Sequence, residues 1–310
     1  INVPIGIVVI AGAAWILPPL ESHRTMEPVD WLGGGLLLSG LTLALLGLTF
    51  VPAHGWGSSR VVWSLVAGVS ALVGFVAREH RAEYPMVEFD LFDNRDFTVG
   101  QLSAVCAMLT FSSMAFLFPF YWQKARGFTA QATGLLMLPL PLTIGIMSPI
   151  AGRISDRLGA RGIASAGMLT IGVALVFLAQ IGVDTPIWDV LWRFVLLGIG
   201  IGSFLAPNKN SVMSAVDAEH RGIAAGLLGM FKYTGRSVGV VFGGMTFGTA
   251  VGAAVDFDPA AGELGTDAAA AFAENFSQGF AAVCLTAAGV AVVGTILSLQ
   301  RNARGAEVGG

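Results

Sequence analysis

Residues 98–122 read Thr98-Val-Gly-Gln101-Leu-Ser-Ala-Val-Cys106-Ala-Met108-Leu-Thr-Phe111-Ser112-Ser-Met114-Ala-Phe116-Leu-Phe-Pro-Phe-Tyr-Trp122, without one charged side chain. A bilayer core of about 30 Å is crossed by roughly 20 apolar helical residues. Lipid offers no partner to open backbone groups, so such a stretch is expected to cross as an α-helix. Working outward from it, further charge-free runs occupy 1–20, 31–53, 61–77, 132–152, 162–183, 194–208, 237–255 and 275–300. The runs at 194–208 and 237–255 extend to 187–208, across Asp189 and Arg193, and to 222–255, across Lys232 and Arg236. The expected fold is all-α: a polytopic transmembrane helix bundle of nine spans.

Composition points the same way. The chain of 310 residues is 55% hydrophobic and 12% charged, against about 25% charged in soluble domains. A net charge of −3 provides no basic field for nucleic acid, so the lipid bilayer is the expected environment. Cys106 and Cys284 sit inside apolar runs and read as small buried hydrophobes. The histidines His23, His54, His80 and His220 are scattered, and no glycine loop followed by Lys suggests nucleotide binding. Neither an enzyme, a metal, a cofactor nor ATP drive is expected. Ile1 is preceded by no basic region of a signal peptide, and an odd number of spans is unusual for paired repeats. The sequence is therefore expected to start inside a longer protein.

Loop charge gives the orientation. Arg24, Arg78, Arg81, Arg95, Arg153, Arg157, Arg161, Lys209, Arg221, Arg301 and Arg304 fall in alternate loops and the tail, against Arg60, Lys124 and Arg126 opposite. Basic loops mark the cytoplasmic side, which puts Ile1 outside and Gly310 in the cytoplasm. The acidic stretch 256–274 then reads as a solvated external loop. Trp15, Trp31, Trp56, Trp122 and Trp188 lie near span ends, where amphipathic rings favour the interface.

One basic loop reads Gly152-Arg-Ile-Ser-Asp156-Arg157-Leu-Gly159-Ala-Arg161. It resembles the G-x-x-x-D-R-x-G-x-R loop of the major facilitator superfamily, in which this loop is a cytoplasmic latch between transport states. Physically, Gly152 permits close helix approach, Gly159 a tight turn, and Asp156 can complement the positive end of a helix. Arg157 and Arg161 can pair with carboxylates in one conformation. The segments at 1–6, 30–33, 85–97 and 127–139 resemble the corresponding parts of the fourteen-helix drug:proton antiporters. On that likeness, 1–20 is the sixth helix, 21–97 holds two extra central helices and a cytoplasmic linker, and 98–310 is the six-helix C-terminal lobe. The first five helices, with the family's membrane-embedded carboxylates, are then a missing N-terminal lobe.

Charges at membrane depth cost several kcal/mol, which makes them functional candidates. No Asp or Glu occupies the middle of a span. Asp189 and Arg193 are four apart and read as an interfacial pair. Lys232 and Arg236 are also four apart but like-charged. They sit either at the cytoplasmic boundary or in a cytoplasm-facing cavity, where they meet an anion or a carboxylate of the missing lobe. Gly235, Gly239 and Gly243, and likewise Gly198 and Gly202, form strips for close helix contact, static or sliding. Pro139, Pro141, Pro149 and Pro207 are expected to kink their helices. Gln101, Met108 and Ser112 share a face with Phe111, Met114 and Phe116 close by, a soft surface for lipophilic compounds or for packing.

The resemblance implies a secondary transporter of the bacterial cytoplasmic membrane, exporting small amphiphilic molecules against proton entry by alternating access. A facilitator of another solute, and a partner-dependent membrane subunit or non-functional C-terminal fragment lacking the coupling lobe, are the competing readings.

Overall fold

A computed structural model describes residues 2–16, 30–82, 87–251 and 266–301. Among these residues there are helices and turns and no strand. The α-helices are α1 (Asn2–Ile16), α2 (Trp31–His54), α3 (Ser59–Glu79), α4 (Arg95–Phe120), α5 (Ala130–Met137), α6 (Pro139–Leu158), α7 (Ala160–Leu178), α8 (Ile187–Ser214), α9 (Arg221–Val251) and α10 (Thr266–Leu299).

Their ends follow local chemistry. Asp30 caps α2 by accepting from the Gly33 N–H, and Asn94 caps α4 by accepting from the Asp96 and Phe97 N–H groups. α5 and α6 form one span, interrupted at Leu138 because Pro139 has no N–H to continue the ladder. α6 stops at Gly159, whose φ of +87° is open to glycine and strained for other residues. α4 runs on into a π-helical turn, Tyr121–Ala125, just after Pro119.

α4 lies at the centre, packed by α8, α9 and α10, while α6 and α7 flank α8 and the α2–α3 hairpin docks through α2 onto α9. The glycine strips set these approaches. A methyl on Gly235 would lie 2.8 Å from the Val105 carbonyl oxygen, and one on Gly239 would collide with that of Leu109. Gly243 faces Ser113, Gly198 faces Thr143 and Gly202 faces Met147. Such contact lets van der Waals attraction hold helices where lipid cannot. Phe118, Trp122, Phe194, Phe276 and Phe280 fill the core, whereas Leu142, Ile146, Leu169, Val176 and Val292 are exposed on the outside. Apolar outside and inside together mark an integral membrane protein.

Three expectations are corrected. Of nine anticipated spans, seven helical stretches among the described residues are long and apolar enough to cross a membrane. Gly6–Ile16 is shorter, and α9, a continuous helix of 31 residues, carries the polar run Lys232-Tyr-Thr-Gly-Arg-Ser237 and is not among the seven. The anticipated loop 256–274 is shortened because α10 already begins at Thr266; residues 252–265 lie outside the described ones. Finally, Trp15, Trp31, Trp56 and Trp188 are exposed, but Trp122 is fully buried. The π turn carries its ring inward against Tyr121, Phe128 and Phe194.

Candidate functional site

α9 places Lys232 and Tyr233, and one turn further on Arg236, beside α4, α6 and α8. Together with Met108, Phe111, Ile144, Ile201 and Leu205 they line a cavity of about 240 Å³. Lys232 is half-buried and Arg236 exposed, with the Arg236 guanidinium 5.7 Å from the centre of the Phe111 ring. No Asp or Glu lines the cavity, and neither cation has an acidic partner among the described residues. Its walls are thioether, aromatic and aliphatic, with two positive charges a single helical turn apart.

Met108 therefore reaches the cavity, but Gln101 and Ser112 do not. Both are buried within the lobe, and the Gln101 amide and Ser112 hydroxyl have no hydrogen-bond partner among the described residues. Their shared helical face is covered by neighbouring helices instead of opening to a ligand.

A second cleft, about 760 Å³, opens at the basic end of the bundle between the α6–α7 turn, the end of α8 and the start of α4. Asp156, Gly159 and Arg161 line it, with Asp96, Asn210 and Arg301 opposite. Asp156 accepts a 3.2 Å hydrogen bond from the Asn210 amide, so its partner is a side chain near the end of α8, not the start of a helix. Arg157 and Arg161 are exposed without an acidic partner among the described residues. A methyl on Gly152 would make ordinary contact with Ala206 at 3.6 Å, so that approach does not demand glycine.

Sequence reasoning missed Arg301. Its side chain is buried, donates to the Asn208 side-chain oxygen, and leaves Nε and Nη1 unpaired among the described residues. Burial pulls its pKa down to about 10, partly opposed by the negative charge of Asp96. Asn208 lies inside a charge-free run, and nothing in its spacing from Arg301 signals the pair. Also missed was Arg126 at the opposite end, whose guanidinium sits 5.3–5.7 Å from the ring centres of Tyr121, Trp122 and Phe128 and donates to the Thr185 carbonyl at 2.8 Å. The adjacent Tyr-Trp pair was the available signal. Arg193 is buried, pairs with Asp189 at 3.1 Å and lies over the Trp192 ring, so its charge is met within its own helix although Nε has no hydrogen-bond partner among the described residues.

A central cavity beside small-residue helix contacts, with a basic turn at one end, can be compared with known families. The family model described as Major Facilitator Superfamily matches residues 6–240. The chain belongs to the Major Facilitator Superfamily. That family places the chain among membrane transport proteins rather than enzymes. Among relatives of this superfamily, the tetracenomycin C resistance and export protein of Streptomyces glaucescens is 30% identical over 81% of this chain and 47% of its own length. The riboflavin transporter RibZ of Clostridioides difficile (strain 630) is 29% identical over 78% of the chain and 52% of its own. The probable actinorhodin transporter of Streptomyces coelicolor is 30% identical over 90% and 50%. The chain thus spans about half the length of these relatives. The fold resembles the crystal structure of a bacterial homologue of the human lysosomal transporter Spinster, with a TM-score of 0.55 at 17% identity, over 87% of this chain and 67% of that one.

Proposed function

We propose that this chain forms the C-terminal part of a proton-coupled exporter of small amphiphilic molecules, working by alternating access. The observation that carries the reading is the cavity between α4, α6, α8 and α9, whose soft apolar wall suits varied lipophilic bodies. The names of relatives, which speak of export and resistance, point the same way. In this reading Asp156, Arg157, Gly159 and Arg161 act as a latch at the cytoplasmic end, with Gly310 in the cytoplasm and the protein in the bacterial inner membrane. The cavity closes against an N-terminal lobe, which supplies the coupling carboxylate because no Asp or Glu lies mid-span in the described residues. The proton gradient is the energy source, with no cofactor.

The test is full-length protein in proteoliposomes under an imposed pH gradient, with a lipophilic fluorescent dye as cargo. Transport that collapses on adding a protonophore is the expected result. Dye movement indifferent to the gradient would replace proton coupling by facilitated diffusion, and no protein-dependent movement would overturn export altogether.

A further inference from the structure

We infer that the Lys232–Arg236 cavity selects an anionic amphiphile, an aromatic body bearing one ionised acidic group. The inference rests on the transport reading above and specifies its substrate class. Gly235 and Gly239 of α9 pack on Val105 and Leu109, inside the membrane-spanning stretch Arg95–Ala125, so Lys232 and Arg236 stand alongside the inner part of that span. Two like charges one turn apart there repel each other and lose hydration.

Three arginines of this chain have their charge met on the spot. Arg78 has Asp30, Arg193 has Asp189, and Arg126 has three rings and the Thr185 carbonyl. Lys232 and Arg236 have no such acid among the described residues, although both line a cavity. A guanidinium lying over Phe111 still presents its N–H edges for a bidentate acid. Met108, Phe111 and Ile201 supply the apolar wall for the ring system that follows. About 240 Å³ holds such a ring system, not a whole lipid. A carboxylate from elsewhere in the protein is the rival counter-ion, and it would abolish any preference for acidic ligands.

The experiment uses full-length protein in detergent at pH 7.5 and three near-isosteric fluorescent probes: anthracene-2-carboxylate, anthracene-2-carboxamide and the 2-(aminomethyl)anthracene cation. The carboxylate is expected to bind at least about tenfold more tightly than the carboxamide, with the cation weakest. Lys232→Gln and Arg236→Gln should each shrink that preference several-fold while leaving carboxamide affinity in place, and Lys232→Arg should keep it. Equal binding of carboxylate and carboxamide by the unmodified protein, or preference for the cation, overturns the inference without recourse to any variant. Substitutions that weaken all three probes equally overturn it as well. A protein that exports carboxamide and cation but not carboxylate would overturn the inference while leaving the transport reading standing.

Discussion

The Arg78 guanidinium grips the Asp30 carboxylate through Nε at 2.8 and 3.0 Å and Nη2 at 2.9 Å, tying the start of α2 to the end of α3. Asp30 also caps α2 through Gly33. The Arg78 bond first, and the Gly33 N–H next, hold the Asp30 carboxyl below the usual carboxylate range. A depressed carboxylate pKa contributes stability above its unfolded value, and that contribution is lost as pH falls through the lowered one. The clasp should thus persist at neutral pH and open only below about pH 4. Asp30→Asn keeps the cap and removes the charge. It should speed amide exchange in the first turn of α2 and the last of α3 by roughly two- to fivefold at pH 7, and abolish the acid-dependent rise seen in the unmodified protein. Unchanged exchange in those two turns would contradict the assignment.

Gly239 carries the tightest of the α4–α9 contacts, and the Ser113 hydroxyl donates to its carbonyl at 2.7 Å. An added methyl must push α9 away from Leu109 and stretch that bond. Gly239→Ala should cost about 1–3 kcal/mol, read as a lowered thermal midpoint in detergent. Gly244→Ala is the control, since its methyl would meet Phe116 at an ordinary 3.6 Å and alanine favours the helix. Equal midpoints for the two variants would remove Gly239 from the packing argument.

The spans were legible because lipid leaves a segment like 98–122 little choice but a helix. Which helix covers which face was not. Gln101, Met108 and Ser112 share a face by periodicity, yet their surroundings depend on the neighbours that wrap α4, and only Met108 reaches the cavity. Trp122 stands at the end of an apolar run, but the π turn after Pro119 aims it inward. The glycine strips announced close contact without naming Val105, Leu109 or Thr143 as partners. Lys232 and Arg236 were visible as anomalies, and their common cavity required residues from α4, α6 and α8 that no local pattern links to them.

Arg301 combines burial with a hydrogen bond to Asn208 and a pKa lowered to about 10. For a basic group a lowered folded pKa means that charge is disfavoured on folding, so stability rises as pH climbs from about 10 toward the unfolded value and the penalty is present at neutral pH. Replacing such a charge by an apolar side chain of similar length is often stabilising. Arg301→Met should raise the stability of the full-length protein at pH 7 by about 1–3 kcal/mol, less whatever Asn208 loses, and flatten the alkaline rise. A strongly lowered thermal midpoint would mean instead that Arg301 is better satisfied than its burial suggests.

Gly159 joins α6 to α7 with φ +87° and ψ 149°, a region essentially closed to residues with a Cβ. The space around it is open, with nothing within 4 Å of the point where a methyl would stand, so backbone strain alone opposes substitution. Gly159→Ala should cost about 1–3 kcal/mol and re-aim Asp156 relative to Asn210. Gly145, in the middle of α6, has equally open surroundings and no positive φ; Gly145→Ala should be neutral or slightly stabilising through helix propensity. If the turn serves as the latch proposed above, Gly159→Ala should slow dye transport in proteoliposomes by more than its loss of stability explains, and Asp156→Asn, which leaves the turn unstrained, should slow it too. Transport rates that follow thermal stability alone across these three variants would reduce the turn to a helix connector.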